Sequence, residues 1–128
     1  MSVLQLGTIV FVKAVVPPNG DKSRAKDRRV LVVEPANDSN PKARCVVIAT
    51  LRNTRHDPTR EVIIPHRNDG HPRTTLTQPS VAVCDWVIEV SDDEILPERR
   101  RGRCQQDTTN EVIRTISRLL EETNDSPE

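Results

Sequence analysis

Two stretches decide the predicted fold: Lys26-Asp27-Arg28-Arg29-Val30-Leu31-Val32-Val33 and Cys45-Val46-Val47-Ile48-Ala49-Thr50. In each stretch, polar residues flank one end of an apolar run that is largely β-branched. Such runs are typical of buried strands. The sequence therefore predicts two strands whose ends present an arginine and a hydroxyl. This pair of hydrogen-bond donors, next to a basic loop, suits a phosphate diester.

Three further strands are predicted, over residues 8–16, 62–64 and Ser80–Val90. The last shows the clearest alternation. Its first face is apolar and predicted to be core: Ala82, Cys84, Trp86, Ile88 and Val90. Its second face is mixed and predicted to be partly accessible: Val81, Val83, Asp85, Val87 and Glu89.

Polar connectors rich in turn-forming residues separate these strands, at residues 17–27, 35–41, 52–60 and 66–79. The pattern Thr108-x-x-Glu111 predicts a capping box at the start of a terminal helix. Helical spacing gives that helix one apolar face, made of Val112, Ile113, Ile116, Leu119 and Leu120. We expect a small, mainly β barrel or sandwich with a C-terminal helix over residues 1–122, followed by an acidic, frayed tail at 123–128.

The charge of the chain is balanced overall but unevenly distributed. Nineteen Lys and Arg residues match nineteen Asp and Glu residues in 128. Residues 13–73 carry thirteen basic and seven acidic side chains, a local balance of +6, whereas residues 85–98 carry six acids and no base. Such polarity allows a basic face to meet a polyanion, although an ordinary solvated surface gives the same pattern.

The sequence predicts a cytoplasmic protein without cofactors. No apolar run is long enough to span a membrane, and the N-terminus lacks signal-peptide features. The three cysteines are widely spaced and odd in number, so neither a disulfide framework nor a metal site is expected. The three histidines have no ligand spacing for zinc. Cys45 and Cys84 are expected to be small core residues.

Taken in order, these elements resemble the MazF/PemK family of toxins from toxin–antitoxin pairs. Residues 7–12 are similar to the family's first strand, Arg28–Val33 to its Arg-Pro-apolar strand, and Cys45–Thr50 to the next strand, which ends in threonine. Residues 76–85 are similar to its central strand, and Gly102-Arg103-Cys104 to an element before the last helix. The resemblance covers nearly the whole chain.

The resemblance implies an SH3-like barrel of the MazF/Kid/CcdB type that forms a homodimer. It also implies a metal-independent endoribonuclease that cleaves single-stranded RNA, usually at a short sequence, and that a cognate antitoxin blocks.

Three residues are predicted to be catalytic. Arg28 would stabilise charge on the phosphate, and Thr50 would donate a hydrogen bond to a non-bridging oxygen. Asp85, expected to lie near Arg28, would accept the 2′-hydroxyl proton, unless it is a surface acid paired with a neighbouring arginine. Basic residues around them are predicted to hold the RNA backbone: Lys22, Arg24, Lys26, Arg29, Arg52 and Arg55.

Two departures from the family pattern keep other functions open. Arg29 replaces the family's proline, and Val83 replaces an arginine that some members use for cleavage. Both changes favour a non-catalytic module that binds nucleic acid or protein on the same fold. A CcdB-like gyrase inhibitor is the least favoured alternative, because the last helix lacks the Trp-Gly-Ile ending of the gyrase poisons.

Two structural expectations follow for the aromatic residues and the dimer. Phe11 and Trp86, the only aromatic residues, are predicted to point into the core, which would leave no platform for base stacking. Val81, Val83 and Val87 are predicted to need a two-fold partner, because a chain this small cannot cover both faces of the central strand. Such a partner would bring two loops at residues 20–29 together around an RNA groove.

Overall fold

The computed structural model describes residues 4–51, 57–97 and 99–124. Six strands and one helix follow each other along the chain: β1 Thr8–Val15, β2 Lys26–Glu34, β3 Ala43–Thr50, β4 Glu61–Ile64, β5 Ser80–Val90, β6 Gly102–Arg103 and α1 Gln106–Asn124. The strands form one antiparallel sheet in the order β4-β5-β3-β2-β1-β6, which curves into a half-barrel. The predicted barrel with a C-terminal helix is confirmed.

Both faces of the sheet are apolar, and each carries its own core. On the side that we call the helix face, Ile9, Leu31 and Val46 pack with Val112 of α1. On the opposite face, the core is formed by a second set: Leu4, Val10, Val12, Val15, Val30, Val32, Ala43, Cys45, Val47, Val90 and Ile95. Alternate residues of one strand therefore serve different cores, which explains the continuous apolar runs of β2 and β3.

Strand β2, which carries Arg28, is longer than predicted. β2 begins at Lys26 rather than at Val30, so Arg28 lies inside the strand and not at its end. Part of the predicted loop at residues 20–29 is therefore strand, and Lys22–Arg24 within it form a single 3₁₀ turn. β3 does end at Thr50, as predicted.

A bulge in β5 overturns the predicted division of that strand into two faces. Val83 pairs with Val47, whereas Val87 pairs with the adjacent residue Val46. Residues 84–86 are therefore extra on the β5 side, and they exchange the two faces of the strand at that point.

The predicted core face is consequently split between the two sides of the sheet. Ala82 and Cys84 pack on the helix face, whereas Trp86 and Ile88 pack on the opposite one. Val81 is only 2% exposed within this single chain. The expectation that Val81 needs a partner subunit is therefore wrong, whereas Val83 and Val87 are partly exposed.

Helix α1 starts two residues before the predicted capping box. Thr108 is already helical, and the adjacent Thr109 donates its hydroxyl proton to the carbonyl of Gln105 at 2.9 Å. The predicted apolar face is confirmed for Val112, Ile116 and Leu119, but Leu120 is 54% exposed. Of the predicted tail, residues 123 and 124 are helical, and residues 125–128 lie outside the described part.

Candidate active site

A cavity of about 170 Å³ opens where the first residues of β2 lie beside the end of β3. Continuing the register from Val30 and Val47 places Arg28 across from Ala49 and Arg29 across from Ile48. Strands β1 and β5 and the loop before β5 complete the wall. Its lining is Phe11, Asp27, Arg28, Arg29, Ile48, Ala49, Thr50, Leu76 and Ser80. Arg28, Arg29 and Thr50 thus line one cavity, and the phosphate site that the sequence predicts for them stays a prediction.

The two consecutive arginines lie against different aromatic rings. Arg29 pairs with Phe11 across β1 and β2, and its guanidinium carbon lies 4.6 Å from the centre of the Phe11 ring. The guanidinium carbon of Arg28 lies 5.0 Å from the centre of the Trp86 ring. Such stacking holds a guanidinium in place without neutralising it.

Both arginines carry unused hydrogen-bonding capacity. Their Nε atoms are buried, and neither has a hydrogen-bond partner in the described part of the chain. Among the described residues, neither side chain forms an ion pair. Burial and the nearby positive charge of Arg99 lower the pKa of Arg29. An anion in the cavity would satisfy these donors and offset the repulsion.

Thr50 supplies a hydroxyl on the same face as Arg29. It follows Ile48 by two residues and pairs with Ser80 across β3 and β5. The Thr50 side chain is exposed, and its hydroxyl has no partner among the described residues, whereas the Ser80 hydroxyl donates to the carbonyl of Gln78 at 2.9 Å. Thr50 is therefore the more available donor.

Asp27 is the carboxylate that lines this cavity, and the sequence analysis did not single it out. It precedes Arg29 by two residues and therefore lies on the same face of β2. Its Oδ1 accepts a hydrogen bond of 3.1 Å from the backbone N–H of Ala14. This bond holds the carboxylate at the cavity and leaves Oδ2 available to a ligand.

Asp85 was predicted to lie near Arg28, and this placement is wrong. Asp85 falls in the β5 bulge and borders a groove beside α1, lined also by Val87 and Ile116. Its Oδ2 lies 3.5 Å from Nη1 of Arg60. Because the bulge reverses the faces, Trp86 meets Arg28 while Asp85 points to the helix face. The alternative in the sequence analysis, a surface acid paired with an arginine, matches this geometry.

The predicted basic residues around the site are only partly brought together. Lys22 and Arg24 are exposed on the turn before β2, Lys26 is exposed as the first residue of β2, and none of the three lines the cavity. Arg24 is paired with Asp21 at 3.7 Å. Arg52 and Arg55 lie outside the described residues.

The aromatic residues are not buried as predicted. Phe11 and Trp86 are both partly exposed, and a guanidinium lies over each ring, although Trp86 also packs against the core opposite the helix face. A third guanidinium, that of Arg99, lies 4.3 Å from the centre of the Phe11 ring. Arg99 begins the basic run Arg99-Arg100-Arg101, and its approach to β1 depends on the path of the chain after β5.

The loop that provides Leu76 to the cavity contains a strained residue. Thr75 has a φ of 65°, an unfavourable value for a β-branched side chain. Its hydroxyl oxygen is buried without a hydrogen-bond partner in the described chain. Residues with strained backbone conformations are concentrated near functional sites, where the surrounding structure stabilises the strained conformation.

The cysteines are structural. All three are free and buried, which confirms the expectation for Cys45 and Cys84. Burial raises the pKa of each of these two thiols to about 12. In the described part of the chain, no group of three or more His, Cys, Asp or Glu side chains is arranged to hold a metal ion. None of the described helices is both long and apolar enough to cross a membrane.

The antiparallel half-barrel with a C-terminal helix defines the chain as a small SH3-like β-barrel protein. More specifically, the chain belongs to the PemK-like, MazF-like toxins of type II toxin–antitoxin systems, whose family profile matches residues 5–120. The resemblance seen in the sequence is thereby confirmed.

Two solved structures show the same fold. The toxin MazF-mt6 of Mycobacterium tuberculosis is 18% identical, with a TM-score of 0.56 over 88% of this chain and 96% of that one. The MazE–MazF structure from Deinococcus radiodurans is also 18% identical, with a TM-score of 0.57 over 91% of this chain and 93% of that one. A comparison with curated proteins finds no significant match.

Proposed function

We propose that this toxin is a metal-independent endoribonuclease that cleaves single-stranded RNA. One observation carries the proposal: Arg28 and Arg29 line a single cavity with Thr50, and the buried Nε of each arginine has no partner in the part of the chain that the structure describes. Unpaired cationic donors are costly to bury, so a site that keeps two of them is suited to an anion. A phosphodiester provides the planar pairs of acceptor oxygens that guanidinium groups bind best.

The reaction uses the substrate's own 2′-hydroxyl as the nucleophile. Its oxygen attacks the adjacent phosphorus, the bond from phosphorus to the 5′-oxygen breaks, and the products are a 2′,3′-cyclic phosphate and a 5′-hydroxyl. The arginines and the Thr50 hydroxyl stabilise the charge that builds up on the non-bridging oxygens. Because arginine is effectively always protonated, charge stabilisation suits it better than proton transfer.

Asp27 takes the role of general base in this scheme. Its carboxylate lines the cavity beside Arg29, within the same wall as Thr50. It accepts the proton of the 2′-hydroxyl as the new bond to phosphorus forms, and the departing 5′-oxygen takes a proton from water.

The aromatic rings favour recognition of the backbone over stacking of bases. Guanidinium groups lie over both Phe11 and Trp86, which leaves their ring faces unavailable as platforms. Affinity would then rest on phosphate contacts, with base identity read through hydrogen bonds from the loops. Binding of this kind weakens as the salt concentration rises.

The biological partners follow from the family. The Deinococcus structure is of a MazE–MazF pair, and we propose an equivalent antitoxin for this chain. We also propose a homodimer, supported by the partly exposed Val87 and the exposed Leu120 along the groove beside α1. Light scattering tests the dimer directly, and a strictly monomeric mass at micromolar concentration removes it. Because cellular RNA and the antitoxin are cytoplasmic, the proposal places the protein there.

The decisive experiment is incubation of the purified protein with a long RNA in the presence of EDTA. We expect discrete fragments that carry a 2′,3′-cyclic phosphate and a 5′-hydroxyl. Cleavage that begins only after a divalent ion is added would overturn the metal-independent reaction. A folded protein that binds RNA without cleaving it would instead support the non-catalytic module.

A further inference from the structure

The segment that follows β5 brings Arg99 to the ring of Phe11, which lines the cavity. Ile95 forms a β-bridge with Val12, and the backbone N–H of Leu96 donates to the carbonyl of Phe11 at 2.8 Å. The backbone N–H of Arg99 in turn donates to the carbonyl of Leu96 at 3.2 Å. These bonds attach the segment to β1, so the approach of Arg99 to Phe11 is part of the fold.

Two guanidinium groups therefore share one aromatic ring. The guanidinium carbons of Arg29 and Arg99 lie 4.6 and 4.3 Å from the centre of Phe11. The two like charges repel each other, and this repulsion contributes to the lowered pKa of Arg29. In the described chain, neither is paired with an acid. An arrangement that brings two unpaired cations together is best stabilised by a bound anion.

Two structural features distinguish this site from an ordinary basic surface. The Nε of Arg29 is buried without a hydrogen-bond partner among the described residues, and Phe11 itself lines the cavity. Arg99, Arg100 and Arg101 are all exposed, but Arg100 and Arg101 have no aromatic contact in the described structure. Arg99 thus differs from the rest of its basic run by geometry rather than by charge.

We propose that Arg99, together with Arg29 across the Phe11 ring, forms a phosphate-binding subsite for the RNA backbone at the edge of the cavity. The inference rests on the proposed function for the identity of the ligand. In this subsite, Phe11 holds both guanidinium planes, and the backbone phosphate bridges them. An acidic segment of a protein partner is the competing ligand, but the orphaned Nε and the adjoining Thr50 hydroxyl favour phosphate.

The test measures binding without chemistry. The probe is a short single-stranded oligonucleotide with 2′-O-methyl riboses, which keeps the phosphates and removes the nucleophile. Its affinity is measured against salt concentration for the wild-type protein and for Arg99→Ala. We expect roughly tenfold weaker binding at low salt, as for the loss of one charged hydrogen bond. We also expect the slope of log affinity against log salt to fall by about 0.7, which corresponds to one phosphate contact.

Matched variants separate this role from general basicity. Arg100→Ala and Arg101→Ala remove the same charge nearby and should change the slope by less than half as much. Arg99→Lys keeps the charge but loses the planar stack, so it should recover the slope and only part of the affinity. An unchanged slope for Arg99→Ala would overturn the subsite, even if that variant bound an acidic peptide more weakly.

Because the probe cannot be cleaved, the result is independent of the proposed ribonuclease activity. A protein that cleaves no RNA, yet shows the slope change, would retain the subsite and lose the enzyme.

Discussion

Arg28 and Arg29 are adjacent in sequence, yet their guanidinium groups stack on rings that lie on opposite faces of the sheet. Arg29 covers Phe11 on the helix face, and Arg28 covers Trp86, which packs against the opposite core. Strand alternation produces this arrangement, because β2 already begins at Lys26. Both residues line the same cavity at the end of the sheet. The family's proline is replaced here by a second cation at this site.

We predict that Arg28→Ala and Arg29→Ala each lower kcat/KM for RNA cleavage by roughly a hundred- to a thousandfold. Losing a preorganised donor to the transition state has an effect of that size. Each variant also loses a cation–π contact, at a cost of about 0.5–1 kcal/mol in the free energy of unfolding. Single-turnover cleavage and denaturant unfolding measure the two effects separately.

Lysine variants provide the control for this prediction. Arg28→Lys and Arg29→Lys keep the charge but lose the fork geometry, so cleavage should stay well below wild type. Full activity in either alanine variant would remove that arginine from the reaction and leave the role to its neighbour.

Replacing Thr50 by valine should have a smaller effect. The side chains are nearly isosteric, and the hydroxyl has no structural partner in the described chain, so stability should not change. We expect cleavage to slow by roughly three- to tenfold, as for the loss of one neutral hydrogen bond. Thr50→Ser should restore most of the rate. A Thr50→Val enzyme as fast as wild type would show that this hydroxyl does not contact the phosphate.

Two carboxylate variants test the choice of general base. Asp27→Asn keeps an oxygen that can accept the Ala14 N–H, so the fold should persist while cleavage falls by about a hundredfold or more. Asp85→Asn should be nearly neutral, since the exposed pair with Arg60 stabilises by at most about 1 kcal/mol. A large loss of activity in Asp85→Asn, with little change in Asp27→Asn, would restore Asp85 as the base and imply that it acts outside this cavity.

Local patterns in the sequence predicted the elements of the fold well. The apolar runs located β2 and β3, and the alternation of β5 gave its limits as Ser80–Val90. Arg28 and Thr50 were predicted to meet at one site, and both line the cavity, although Arg28 lies inside β2 rather than at its end. These features depend on residues close together in the chain.

Features that depend on bulges or on long-range approach were not predictable in the same way. The β5 bulge moves Asp85 away from Arg28 and Trp86 towards it, and no residue pattern marks the bulge. Arg99 reaches Phe11 only because the segment after β5 bonds back to β1. The aromatic residues were expected to be in the core because hydrophobicity alone does not reveal a covering guanidinium.

Relief of backbone strain at Thr75 should stabilise the protein. The left-handed conformation of Thr75 costs a non-glycine residue about 1–2 kcal/mol, and Thr75→Gly removes this cost. Part of the gain is offset, because glycine has greater conformational freedom in the unfolded chain. We expect the free energy of unfolding to rise by about 0.5–1 kcal/mol. Thr74→Gly is the matched control and should destabilise, because the Thr74 hydroxyl donates to the carbonyl of Pro65 at 2.7 Å. A loss of stability in Thr75→Gly would mean that its side chain makes an unrecognised contribution.

The buried thiols should make the fold sensitive to alkaline pH. Burial raises the pKa of Cys45 and of Cys84 from 9.0 to about 12 in the folded protein. In the unfolded protein, both thiols ionise near their ordinary pKa. Between that pKa and the raised pKa of the folded protein, the native state therefore holds more protons than the unfolded state. The stabilising contribution is therefore complete below about pH 9 and is lost progressively towards pH 12. Each thiol can contribute at most about 1.4 kcal/mol per pH unit in that window.

The measurement is the difference in the free energy of unfolding between the wild-type protein and a Cys45→Ala/Cys84→Ala variant, obtained by denaturant unfolding from pH 7 upward. The double variant starts less stable because two buried side chains are shortened. That loss is the same at every pH, whereas the thiol contribution is not. The two stability curves should therefore converge as the pH rises above about 9. Stability curves that stay parallel up to pH 11 would show that the thiols are hydrated or ionised in the native state. Rapid alkylation of the thiols at neutral pH would show the same independently.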